Sequence, residues 1–304
     1  MGIGNYIKEI GRGKDGARAL TREQSADLFA QVLDGTVTDL EVGAFCLAMR
    51  IKGETAPEMA GFLDATHARL QRVATGGHGT VVLPSYNGAR KLPVLTPLLA
   101  LLLARQGLCV LMHAQATEAG RVSAQDVLLA LGIAAQTRIH ELTPGALTLV
   151  PTRLLCPALG RLLDVRQVIG LRNPAHSLVK LMNPCDGPSV LVSSYTHPEY
   201  AISMGATFRL MRSNALLLRG TEGEAVADPR RMPGMDAFID GQASRVQEQQ
   251  SGALESVPDL PAPDAPSTAA WIQAVLEGQK PIPEPIARQV AHIVHLSDQI
   301  VTCA

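Results

Sequence analysis

Three stretches of the 304-residue sequence place side chains where chemistry is possible. Residues 80–91, TVVLPSYNGARK, read as a short β-branched strand, a turn and the start of a long apolar helix pattern. A strand that turns into a helix exposes unpaired backbone N–H groups, and many α/β proteins hold a phosphate there. Ser85, Tyr86, Asn87 and Gly88 make the turn, Pro84 withholds one donor, and Arg90 and Lys91 stand at its exit. The second stretch, HAQATEAGRVSAQDVL, carries His113 and Arg121. The third, RGTEGEAVAD, follows an apolar strand and separates Glu222 from Glu224 by one residue. Adjacent carboxylates beside a phosphate can hold Mg2+, which demands near-octahedral oxygen geometry at short distance, so their spacing matters. More bases recur along the chain: Arg166, Arg172 and Lys180, then Arg209 and Arg212. Bases on one surface suit a polyanion, although Arg209 and Arg212, three apart near a helix end, equally suit a helix dipole. Tyr86 and Tyr195 could stack on nucleic-acid bases or pack internally. His113, His176 and His197 read as hydrogen-bonded structural residues rather than catalysts.

The elements that must position these residues are legible. Thr21-x-x-Gln24, Thr38-x-x-Glu41 and Thr55-x-x-Glu58 each spell a capping box, and three in under 40 residues predict a compact helical bundle. Gly35 and Gly53 follow the first two helices as stops. The middle helix, LEVGAFCLAMRI, is apolar nearly all round and predicts burial, in the core or in a subunit interface. From about residue 73, short apolar strands (80–83, 108–113, 189–194 and 215–219) alternate with helical stretches near 93–106, 123–131 and 198–212. That alternation predicts a mostly parallel sheet with helices on its faces. Residues 253–267, ALESVPDLPAPDAPS, predict an extended acidic loop, and two helices follow near 268–277 and 284–298.

Composition narrows the classes. Apolar residues make up 46 % and aromatics only 3 %, so the core must be mostly aliphatic. The apolar run VLTPLLALLLA (94–104) is far short of the roughly 20 residues a membrane span needs. Lys8 and Glu9 sit where a signal peptide is apolar, which predicts a cytoplasmic protein. Five scattered cysteines without a C-x-x-C pair predict reduced thiols and no zinc site. The net charge of −1 hides an asymmetry: residues 153–231 carry ten Lys/Arg against six Asp/Glu, and residues 232–304 carry three against nine.

The run LTREQSADLFAQVLDGTVTDLEVGAFCLAMRIKGETAPEMAGF resembles the helical domain of anthranilate phosphoribosyltransferases, whose hallmark is helix, G-x-x-T/S-D, helix, K-G-E-T-x-x-E. The resemblance continues through HAQATEAGRVSAQDVLLALG (113–132) to the C-terminal helices. It implies an α/β fold with a small N-terminal α-helical domain over 1–72, on which helices from about 155–185 pack. A larger α/β domain with a mostly parallel central sheet would span 73–304, and the chain would form a homodimer through the helical domain. It also implies a site for phosphoribosyl pyrophosphate and Mg2+, which here is degenerate. The Gly-Thr-Gly-Gly-Asp turn of those enzymes falls on Ser85, Tyr86, Asn87 and Gly88. His113 is kept, but the serines that contact phosphate and magnesium fall on Ala119, Gly120 and Val122. The adjacent Asp-Glu pair is split into Glu222 and Glu224, while Arg166 matches an arginine that contacts the aromatic acid. With LRNPAHSLVKLMNP and LLLRGTEGEAVADPRR, the chain resembles the YbiB-type branch of the family. That branch implies DNA binding with little sequence preference through a basic groove.

The resulting expectation is non-sequence-specific binding of DNA, with RNA a further candidate, by a catalytically degenerate phosphoribosyltransferase homologue. Arg90, Lys91, Arg121, Arg166, Arg172, Lys180, Arg209 and Arg212 are its expected contacts. No catalytic residue, resident metal or cofactor is expected, with Mg2+ entering only if transferase activity survives. The alternatives are a pentosyltransferase or phosphorylase on another ribosyl substrate, or a scaffold that holds a protein on its helical face.

Overall fold

The computed structural model describes residues 2–13, 15–252 and 258–303. Four helices come first: α1 (Gly4–Ile10), α2 (Arg22–Asp34), α3 (Asp39–Lys52) and α4 (Ala56–His67). Then follow β1 (Thr80–Ser85), α5 (Thr96–Arg105), β2 (Cys109–Ala114), α6 (Ala124–Ala130) and β3 (Leu147–Pro151). Three helices, α7 (Thr152–Leu155), α8 (Pro157–Ile169) and α9 (Ala175–Leu178), precede β4 (Ser189–Tyr195) and α10 (Pro198–Met211). The chain continues with β5 (Ala215–Arg219), β6 (Met235–Ile239), β7 (Gln242–Gln247), α11 (Ala265–Leu276) and α12 (Glu284–Cys303). Of the acidic loop expected over 253–267, residues 253–257 lie outside the described residues, and α11 begins within its C-terminal part.

The chain divides into a helical unit, Met1–Gln71 with Thr152–Pro184, and a sheet unit, Arg72–Pro151 with Cys185–Ala304. In the helical unit all three expected capping boxes form, on Thr21, Thr38 and Thr55. Two of their glutamates use a second oxygen to reach another segment. Glu41 accepts from the Ile3 N–H at 3.0 Å, and Glu58 accepts from the Leu20 N–H at 2.9 Å. Phe29, Phe45 and Phe62 form one cluster with ring centroids 4.8–6.2 Å apart. Three of the five phenylalanines are thus spent on this small core, where each large ring buries much apolar area. Within the single chain, helix α3 is buried along one face only. Phe45, Cys46 and Met49 are buried, whereas Leu40, Leu47 and Ile51 are 83 %, 47 % and 65 % exposed. Spacings of seven and four put these three on one helical stripe.

The sheet unit is built on seven strands in the order β3-β2-β1-β4-β5-β6-β7. The first five run parallel, and β6 and β7 are added antiparallel. Strand β1 is therefore central, and β1, β2 and α5 are buried almost throughout, which explains their unbroken apolar runs. Helix α5 packs on β1, β2 and β3 and against α6, α11 and α12. The hairpin β6–β7 lies outside the predicted elements, although its signal is present. Asp240 and Gly241 both have positive φ, 49° and 76°, the requirement of a type I′ turn, and Asp-Gly between strands is its usual sequence. Strand β3 is also absent from the prediction, because its five residues lie only partly buried and show no clean alternation. The remaining phenylalanines, Phe208 and Phe238, pair at 5.1 Å in this unit. Cys46, Cys109, Cys156 and Cys185 are buried, reduced thiols, and burial pushes those of Cys46 and Cys185 up to about 12. Among the described residues no helix is long and apolar enough to cross a membrane.

Candidate functional site

The turn after β1 lies at the C-terminal edge of the parallel sheet, where α/β proteins bind ligands. Its backbone donors converge on two side chains of the same chain. Glu224, 1 % exposed, accepts from the N–H groups of Asn87 and Gly88 with one oxygen, both at 2.8 Å. Its other oxygen accepts from Ser85 Oγ at 2.5 Å and Thr96 Oγ1 at 3.2 Å. Glu222 takes the N–H groups of Lys91 and Leu92 on one oxygen, both at 2.9 Å, and that of Arg90 on the other at 3.1 Å. Burial pushes the Glu222 carboxyl up, but the three backbone donors and Arg121 outweigh it and hold it below the ordinary carboxylate range. Pro84 without a donor and Arg90 and Lys91 at the exit, read from the sequence, suggest a turn that holds phosphate by side-chain charge in place of backbone donors. The structure corrects that: five backbone N–H groups remain, and two internal carboxylates occupy them.

The local chain is shaped to deliver these carboxylates. Glu222 sits in the left-handed region, φ 50° and ψ 23°, which a non-glycine residue adopts at a cost of about 1–2 kcal/mol. Gly223 follows at φ 87°, and a Cβ there would lie 1.9 Å from Asn87 Nδ2. Asn87 in turn donates to the Glu222 carbonyl at 3.0 Å, and Ser194 Oγ donates to the Gly223 carbonyl at 2.8 Å.

The bases of this region are matched by acids. Arg90 Nη2 lies 3.1 Å from Glu118, and Arg121 lies 3.1 Å from Glu118 and 3.7 Å from Glu222. Lys91 is exposed at the rim. Glu118 is absent from the expected set, although its position three residues before Arg121 is a readable ion-pair spacing. Tyr86 does not face solvent for base stacking. It is buried, with its hydroxyl 2.7 Å from Nδ1 of the fully buried His113. A shallow concavity lies against the turn, lined by Asn87, Gly88, Gln115, Thr117, Arg121 and Gln125 among others.

These donors do not fit a divalent cation. Every carboxylate oxygen of Glu222 and Glu224 points at an N–H or O–H group, an environment that favours an anion and repels a metal. No group of three His, Cys, Asp or Glu side chains among the described residues could hold one.

The other expected bases fall in both units. Arg209 lies over the Phe238 ring, 5.9 Å from its centroid. Arg212 ends α10 in the left-handed conformation and forms a two-pronged ion pair with Asp240, its Nε at 2.7 Å. Tyr195 is half-buried, and His197 is exposed beside Tyr200. In the helical unit, Arg166 closes α8, while Arg172 and Lys180 flank α9. Between them the buried His176 accepts from the Asn173 N–H at 3.2 Å, and its Nε2 has no hydrogen-bond partner among the described residues. Burial and the positive charges of Arg172, Arg166 and Arg50 push this imidazole down to about 4.

The comparisons agree with the geometry. Residues 5–69 match the helical bundle domain of the glycosyl transferase family. The anthranilate phosphoribosyltransferase of Thermus thermophilus superposes with a TM-score of 0.71 at 18 % identity, over 98 % of this chain and 89 % of that one. The Saccharomyces cerevisiae enzyme in complex with PRPP and Mg gives 0.68 at 14 %, over 98 % and 89 %. These likenesses define the class, an anthranilate phosphoribosyltransferase fold. In sequence the chain is 28 % identical to anthranilate phosphoribosyltransferase of Anaeromyxobacter sp. (strain K), over 91 % of this chain and 83 % of that protein. It is 40 % identical to the uncharacterized protein YbiB of Escherichia coli (strain K12), over 96 % of this chain and 93 % of YbiB. The chain belongs to the anthranilate phosphoribosyltransferase-like glycosyl transferase family, in the branch of YbiB.

Proposed function

We propose that this protein binds nucleic acid with little sequence preference and does not carry out phosphoribosyl transfer. The observation that carries the proposal is the arginine cluster around His176. Arg172, Arg166 and Arg50 lie close enough to act together on one buried imidazole. Arginines gathered in this way attract phosphates, and with few aromatics to read bases the contacts are mainly to backbone. The occupied turn supports the second half of the proposal, because transfer needs pyrophosphate contacts that stabilise the leaving group. The branch resemblance points the same way, to DNA first and RNA second. Four buried, reduced cysteines suit a reducing cytoplasm.

Fluorescence anisotropy with labelled single- and double-stranded DNA and RNA across a salt series tests this. Log affinity should fall with log salt at about −0.7 to −0.9 per neutralised phosphate. An Arg172→Glu, Lys180→Glu double variant should weaken binding to all sequences alike and reduce the salt slope by about one per charge removed. Arg90→Glu, Lys91→Glu should weaken binding only if the turn takes part, and unchanged affinity would remove the turn from the site. Absence of binding at low salt, or turnover of phosphoribosyl pyrophosphate with Mg2+, would overturn the proposal.

The same protein is proposed to pair with a second copy through α3. The exposed stripe Leu40, Leu47, Ile51 is the support, since contiguous exposed apolar surface marks an interface. Leu47→Glu with Ile51→Glu should halve the mass measured by light scattering. A wild-type chain that scatters as a monomer at micromolar concentration would rule the pairing out.

A further inference from the structure

We propose that the turn between β1 and α5 is an anion seat filled from within, in which Glu222 and Glu224 exclude free phosphate by occupying its donors. The seat is distinct from nucleic-acid binding and does not depend on it. Five consecutive or near-consecutive backbone N–H groups, those of Asn87, Gly88, Arg90, Lys91 and Leu92, point at three carboxylate oxygens at 2.8–3.1 Å. Two hydroxyls, Ser85 Oγ and Thr96 Oγ1, serve the fourth. Converging backbone donors of this kind form a concavity for phosphate oxygens in many proteins. Here the occupant arrives from a segment 130–137 residues further along the chain.

Two observations separate this from an ordinary loop tie. The donor-lined turn borders a shallow concavity shared with Arg121 and Gln125, and the Glu222 side chain is 19 % exposed, so solvent reaches the Glu222 half of the seat. The surrounding charge also balances only with the glutamates in place. Arg90 and Arg121 pair with Glu118 and Glu222, Lys91 stands exposed beside them, and Glu224 lies beneath the turn, three bases against three acids. Without Glu222 and Glu224 the same surface holds five N–H groups with no acceptor and an excess of two positive charges. A tethered carboxylate competes at the high effective concentration of an intramolecular group, so a free anion meets a seat that is already taken.

The full-length chain tests this with inorganic pyrophosphate as the probe, in metal-free buffer, by calorimetry and by phosphorus NMR line broadening. Wild type should show no saturable binding below millimolar pyrophosphate. Glu222→Ala with Glu224→Ala should bind at least about tenfold more tightly, because an intramolecular competitor has been removed. Loss of Glu224 leaves a buried cage empty, so Glu222→Gly alone serves as the second variant. Glycine accepts the left-handed backbone at 222 without strain, and the removal frees three N–H groups at the half-buried rim. Glu222→Gly should bind pyrophosphate more tightly than wild type while its thermal midpoint holds. Pyrophosphate binding by wild type as tight as by Glu222→Gly would overturn the inference, as would no binding by folded Glu222→Gly. Either result leaves the nucleic-acid reading standing, because that reading is scored on DNA anisotropy.

Discussion

Glu58→Ala should cost the helical unit about 3–5 kcal/mol, the penalty typical of removing one partner from a buried ion pair. Glu58 is fully buried, and its carboxylate serves four groups at once. It accepts from Leu20 N–H at 2.9 Å, from Thr55 N–H and Oγ1 at 2.9 Å each, and from Lys52 Nζ at 2.7 Å. The Lys52 side chain is only 9 % exposed, and it also donates to the Gly53 carbonyl at 2.8 Å. Alanine would leave a nearly buried ammonium without its counter-charge and two backbone N–H groups without acceptors. Water cannot fully replace what is lost, so the cost is far above that of an exposed pair. Urea unfolding followed by far-ultraviolet circular dichroism measures it. Lys52→Met should cost less than Glu58→Ala, because Glu58 then keeps its three other donors. A loss below about 1 kcal/mol for Glu58→Ala, the scale of an exposed pair, would show that the pair is not a keystone of the bundle. The K-G-E-T-x-x-E run, Lys52 to Glu58, is thus structural: it ties the end of α3 and the start of α4 to the segment before α2.

His176 should make stability fall as pH drops from about 6.5 to about 4. Its imidazole is pushed down to about 4 in the folded chain, against 6.5 when unperturbed. Between these values the unfolded chain binds a proton that the folded chain refuses, so acid favours unfolding. The stability is fully present above 6.5 and is withdrawn progressively until the folded-state value is reached. At about 1.4 kcal/mol for each tenfold in proton affinity, the whole effect is roughly 3 kcal/mol. Carboxylates held low by hydrogen bonds, such as Glu222, withdraw their own contribution further into acid. The comparison is therefore between wild type and His176→Phe, as denaturation midpoints at several pH values. Phenylalanine strands the Asn173 N–H and costs some stability at every pH, but it removes the His176 titration. Curves that run parallel from pH 7 to pH 4 would refute the assignment. A bound polyanion should raise the His176 value by screening Arg172, Arg166 and Arg50, which offers an NMR reporter for nucleic-acid binding.

Local chemistry is enough to read much of this protein from its sequence. Capping boxes at Thr21, Thr38 and Thr55 are legible and form as read, because each depends on residues three positions apart. The parallel strands β1, β2, β4 and β5 are legible because buried parallel strands are continuous apolar runs. The Asp240-Gly241 hairpin carries a local signal of the same kind, weaker because only two residues spell it. Long-range pairing is not legible. In the sequence Glu222 and Glu224 look like a broken metal pair, and Arg90 and Arg121 like bases open to a ligand. Only the fold reveals that the glutamates reach the turn after β1 and that Glu118 meets both arginines.

The helical bundle, the parallel sheet and the family follow from spacings of two to four residues and from contiguous motifs, all of which a linear chain displays. What the charged residues do is set by pairing across the fold. A carboxylate's role depends on which donors lie within about 3 Å of it, and for Glu222 and Glu224 those donors lie 128–139 residues away along the chain. Spacing along the sequence carries no information about that distance, and closure of the sheet does.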